Sequence, residues 1–78
     1  MKYTAVARTK EGGHLAIEWP AMTFEQLQAD RGYQEIVHDP RYVVKIHSAE
    51  WSDVELRPED CSKIDYMDSG KPFVRHDW

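Results

Sequence analysis

Two stretches of this chain alternate apolar and polar residues with a period of two, and that pattern limits the fold more than any other feature. In residues 41–48, Tyr42, Val44 and Ile46 share one face while Val43, Lys45 and His47 take the other. Residues 14–19 repeat the pattern, with Leu15, Ile17 and Trp19 opposite His14, Ala16 and Glu18. A segment of this period can bury only one side, so it calls for antiparallel neighbours and one covering layer. Residues 2–9, with β-favouring Tyr3, Thr4 and Val6, supply a neighbour. Lys10-Glu11-Gly12-Gly13 turns the chain between them, since paired glycines reach positive φ without steric cost. Pro20 lacks a ladder donor and is expected to end the second strand.

The covering layer comes from the stretch after Pro20. Thr23 and Gln26 have the spacing of a capping box, Phe24 and Leu27 fall on one helical face, and Glu25 and Arg31 suit the two ends of the helix dipole. Gly32 is the expected C′ stop, and residues 33–37 either add a helical turn or lead into the next loop. Asp39-Pro40 forces a break. Residues 51–60 lack a period, contain Pro58, and read as a loop with short extended pieces. Residues 63–67 and 72–77 are expected to pair through Asp68-Ser69-Gly70-Lys71 as a terminal hairpin. The order ββα-β-ββ predicts an α+β fold: one small domain over residues 1–78, with an antiparallel sheet of about four to five strands packed with one short α-helix.

At 78 residues there is room for one modest core. Cys61 is the only cysteine, so no disulfide framework supports that core, and a lone thiol fits a reducing cytoplasm. Residues 1–7 run at once into Arg8, Lys10 and Glu11, unlike a signal peptide, and no apolar run has the length of a membrane span. The expectation is a cytoplasmic protein.

Little in the chain speaks for catalysis. His14, His38, His47, His76 and Cys61 are scattered, without the short spacings of a metal site. Residues 65–70 start like a calcium loop, but Met67 occupies an oxygen position and His76 stands where the bidentate carboxylate belongs. Glu59 and Asp60 beside Cys61 disfavour a thiolate. Gly12-Gly13 has no phosphate-loop lysine. A non-enzymatic protein without cofactor or metal is expected.

What remains is charge. Residues 1–49 hold six acids and six bases, whereas residues 50–68 hold seven acids against Arg57 and Lys63. The net −4 of the chain comes from that one segment, which also contains Trp51 and Tyr66. Aromatic side chains bury large area at low entropic cost, and acidic groups around them speed encounter with a basic surface. The expected contact set is therefore Glu50, Trp51, Asp53, Glu55, Glu59, Asp60, Asp65, Tyr66 and Asp68. At −5 over nineteen residues the segment is too sparse to imitate duplex DNA, with about one charge per 1.7 Å, unless folding gathers it.

In profile, on residues 50–68 in particular, the chain resembles the small acidic single-domain inhibitors that bacteriophages encode, anti-CRISPR proteins above all. The resemblance lies in size, charge placement and the absence of catalytic motifs, and assigns no individual residue. It implies an inhibitor acting in the host cytoplasm, monomeric or weakly dimeric. Such a protein docks on a basic nucleic-acid-binding protein, with a crRNA-guided surveillance complex as candidate target, and blocks DNA binding without touching nucleic acid itself. Two other readings stand beside it. One is a structural or regulatory module that self-associates through an exposed strand edge, and the other a nucleic-acid-binding domain using Lys2, Arg8, Lys10 and Lys45.

Overall fold

The computed structural model describes residues 1–75. Strands β1 (Tyr3–Thr9), β2 (Leu15–Met22), β3 (Tyr42–Ser48) and the two-residue β4 (Glu55–Leu56) form an antiparallel sheet in the order β2-β1-β3-β4. Helices α1 (Phe24–Ala29) and α2 (Arg31–Val37) lie between β2 and β3 in sequence. A 3-10 turn, Pro58–Lys63, leads to a separate two-stranded sheet of β5 (Ile64–Tyr66) and β6 (Pro72–Val74). The molecule is a small α+β domain, as the alternation demands.

The buried face of the sheet carries Tyr3, Ala5 and Ala7 of β1, Val44 and Ile46 of β3, Trp19 and Leu56, and the helices close it with Leu27 and Tyr33. Two alanines in the central strand leave space for the large rings of its neighbours. The Phe24 ring stacks on Tyr3 at 3.7 Å between centroids, and Trp19 meets Tyr33 edge-on at 5.8 Å. Gly12 (φ 81°) and Gly13 (φ 63°) turn the β1–β2 connection as expected, and the Thr9 hydroxyl oxygen accepts the His14 backbone N–H across it.

Three local expectations change. Pro20 does not end β2, which continues to Met22. β2 is an edge strand, so a proline there removes no bond that the sheet needs. Two register shifts also insert one extra residue each into β2. The shift at Ala16 sets Leu15 opposite Arg8, which turns Leu15 out of the core to 51% exposure, whereas Ile17 and Trp19 face inward as expected.

Gly32 is not a helix stop, because the helix has already ended at Asp30. Asp30 is extended (φ −68°, ψ 124°), and its backbone N–H donates to the Leu27 carbonyl, closing α1. Its carboxylate accepts the Tyr33 backbone N–H at 2.9 Å, opening α2, and the Trp19 indole N–H at 3.0 Å. These bonds hold the Asp30 carboxyl below its ordinary pKa, the Tyr33 amide contributing most. The predicted single helix is thus two, joined at an aspartate that β2 pins. The terminal hairpin forms as Ile64–Tyr66 with Pro72–Val74. His76 and Asp77, expected at its end, lie outside the described residues.

Candidate docking surface

The fold does not treat the seven acids of residues 50–68 alike. Asp53 Oδ2 accepts from Lys71 Nζ at 2.6 Å, which holds its carboxyl below the ordinary pKa. Glu55, on β4, lies 3.5 Å from Lys45 and 3.7 Å from His47, across the uncovered sheet face. Glu59 pairs with Arg57 at 3.3 Å. Asp60 is buried: it accepts the Arg57 backbone N–H at 3.0 Å and so starts the 3-10 turn. Among the described residues, Glu50, Asp65 and Asp68 are the acids of the segment with no ion pair. All three are exposed, and Asp65 bonds only the backbone N–H of Tyr66.

The two aromatics also separate. Trp51 is half-buried beneath the Lys71 ammonium, 5.8 Å from the ring centre, with Nε1 buried and without a hydrogen-bond partner. Lys71, bonded to Asp53 and set over Trp51, ties the hairpin turn to the loop that follows β3. Trp51 therefore supports the hairpin more than it faces outward. Tyr66 stays 48% exposed while its hydroxyl shares a 3.2 Å hydrogen bond with that of buried Tyr3.

Two residues that the sequence reading passed over complete the surface. Register sets Phe73 directly opposite Asp65, so both stand on the outer face of the β5–β6 hairpin, while Ile64, Val74 and Pro72 turn toward the body of the protein. Met67 follows two residues after Asp65 on the same side, its N–H donating to the Lys71 carbonyl. Phe73 is 40% and Met67 52% exposed, so three of the five large hydrophobic side chains exposed among the described residues lie on this one hairpin. The expected turn over residues 68–71 would pair Met67 with Pro72 and Phe73 with Tyr66. The observed turn is one residue shorter, with the Met67 N–H on the Lys71 carbonyl, and that shift sets Phe73 beside Asp65.

Elsewhere, Cys61 is half-buried, with its sulfur 3.8 Å from the Tyr33 hydroxyl. Burial first, and then the charges of Asp60 and Glu59, push its thiol pKa up. Among the described residues no three His, Cys, Asp or Glu side chains converge as metal ligands, and no helix is long and apolar enough to cross a membrane. Compared with protein-family models, curated proteins and solved structures, the chain matches none of them.

Proposed function

We propose that this protein is a non-enzymatic inhibitor that docks the outer face of its β5–β6 hairpin on a basic, nucleic-acid-binding partner protein and occludes it. One observation carries the reading: Phe73 and Met67 stand exposed on the outer face with Asp65, while Asp68 lies in the turn and Tyr66, set opposite Pro72 on the inner face, is still half exposed. Neither the Asp65 nor the Asp68 carboxylate has an ion pair among the described residues. Exposed apolar groups rimmed by like charge have the composition of a contact core with a steering rim. Acids already paired within the fold would have to give up Lys45, Lys71 or Arg57 to serve a partner. Of the nine residues expected from sequence, Asp65, Tyr66, Asp68 and Glu50 therefore contribute most, with Phe73 and Met67 added. Their carboxylates would pair with arginines, and the partner that the anti-CRISPR-like profile suggests is a crRNA-guided surveillance complex.

The test is affinity capture from a host lysate with matched baits: the unmodified chain, the D65K/D68K/F73S variant and the D53K/E55K/E59K variant. The expected result is a nucleic-acid-binding protein whose DNA binding the unmodified chain blocks. Capture should be abolished by the hairpin variant and reduced less by the second. Equal capture by the hairpin variant, or a captured protein that still binds DNA normally, would overturn the proposal.

A further inference from the structure

The face of the sheet turned away from the helices is uncovered, and at one end it is basic. Val6 and Arg8 of β1 lie beside Lys45 and Val43 of β3, so apolar and cationic side chains alternate across the two strands. With Lys10 and Gly13 of the β1–β2 turn they line a groove of about 510 Å³, within the roughly 300–1,000 Å³ range of ligand sites. Among the described residues Lys10 and Arg8 have no ion pair, although Arg8 gives one N–H to the Gly13 carbonyl at 3.2 Å. Lys45 meets Glu55 only at 3.5 Å between exposed side chains, a weak and readily exchanged pair.

The acidic hairpin is at the other end of the same strand. Tyr66 bonds Tyr3 where β1 begins, and Lys10 follows where it ends. Seven extended residues separate the two by on the order of 20 Å. The hairpin cannot fold back into the groove of its own chain, but that of another molecule can enter.

We propose that the groove takes the β5–β6 hairpin of a second copy of this chain. Phe73 and Met67 rest against Val6 and Val43, while Asp65 and Asp68 meet Lys45, Arg8 and Lys10. The two surfaces match in both respects: each presents apolar side chains edged by charge of opposite sign, unpaired within its own chain except for the weak Lys45–Glu55 contact. A nucleic acid suits the groove less well, because no Phe, Tyr or Trp lines it to stack a base and the chain carries −4 overall. That same −4 does not prevent self-association, since at 0.15 M salt it is screened beyond about 8 Å whereas contact pairs are closer.

The contact is head-to-tail, so each added copy leaves one groove and one hairpin open, and assembly continues until a ring closes or a filament grows. A standard interface buries about 800 Å² per partner. Two three-residue strands present less than that, which makes the assembly weak and concentration-dependent. The proposal stands apart from the identity of any inhibited protein. It adds that self-association hides the surface such a protein would meet.

The experiment is sedimentation equilibrium of the unmodified chain, of K10E/K45E and of D65N/D68N, each alone and the two variants mixed. The unmodified chain should grow in mass with concentration. Each variant should associate about tenfold or more weakly. Mixed in equal amounts, the two variants should form a 1:1 complex and stop there, because each keeps the surface that the other has lost. An unmodified chain monomeric at every concentration, a variant that assembles unchanged, or a mixture that stays monomeric would overturn the proposal. Were a variant to lose its native circular dichroism, concentration-dependent amide shifts of the unmodified chain decide. Shifts confined to the β1 and β3 groove residues and the hairpin support the contact, and shifts centred elsewhere refute it. Tight binding of a single-stranded oligonucleotide, lost in K10E/K45E, would assign the groove to nucleic acid instead.

Discussion

Tyr66→Phe should destabilise the protein more than Tyr3→Phe, although Tyr3 is the buried partner of the pair. The two hydroxyls share one hydrogen bond at 3.2 Å, with Tyr3 1% exposed and Tyr66 half outside. Removing the Tyr66 hydroxyl leaves that of Tyr3 buried and unsatisfied, at a cost of about 1–3 kcal/mol. Removing the Tyr3 hydroxyl forfeits the same bond, but Tyr66 can turn to water, so the loss is about 0.5–1.5 kcal/mol. The double variant should resemble Tyr3→Phe, since neither residue then has a buried orphan. Against a total stability of roughly 4–12 kcal/mol for a chain of this length, the difference is measurable. Urea unfolding followed by tryptophan fluorescence reads all three. A Tyr3→Phe variant as unstable as Tyr66→Phe, or a double variant worse than either, would refute the reasoning. Tyr3, together with Tyr33, also sets an alkaline limit. Burial raises the hydroxyl pKa values of Tyr3 and Tyr33 above the ordinary 10, so the native state keeps protons that the unfolded chain releases. Their stabilisation is complete below pH 10, falls as pH rises above it, and should fall less steeply in Tyr3→Phe.

At low pH the direction reverses. Hydrogen bonds from Arg41 hold the Asp39 carboxyl down at about 2, and Asp30 and Asp53 are also lowered, so the stability they add is present above pH 3.8 and lost as pH falls toward 2. Arg41→Gln should raise the Asp39 midpoint in a carboxyl NMR titration, and an unchanged midpoint would contradict the pairing. Leu27→Ala empties a fully buried position between helix and sheet and should cost about 2–5 kcal/mol in the same urea assay. Cys61 should react with a thiol reagent more slowly at neutral pH than an unfolded control, because burial raises its pKa. Faster reaction would overturn that.

The sheet was legible because alternation states directly which side chains are buried: Tyr42, Val44 and Ile46 needed no further information, and four of the six strands fall within stretches read as strands, while β2 runs past its stretch to Met22 and β4 lies in the loop expected to hold short extended pieces. Where reading failed, a tertiary contact decided. Pro20 reads as a stop only if the strand is interior, and edge position is a property of the whole sheet. Gly32 lost its role because Trp19, eleven residues before Asp30, bonds the aspartate that divides the helices. The acidic segment was conspicuous as a sum of charges, yet sequence adjacency could not tell that Lys45 and Lys71, both outside it, engage Glu55 and Asp53. Nor could it show Trp51 turned under Lys71. Phe73 was missed because it lies outside the acidic run and joins it only through strand register.

The outer face of the β5–β6 hairpin is the proposed surface through which this protein meets another. Amide chemical-shift mapping on titration with the captured partner tests it most directly. The largest changes should fall on Asp65, Tyr66, Met67, Asp68 and Phe73, and the helices should stay unchanged. Changes centred on α1 and α2, with the hairpin unmoved, would contradict it.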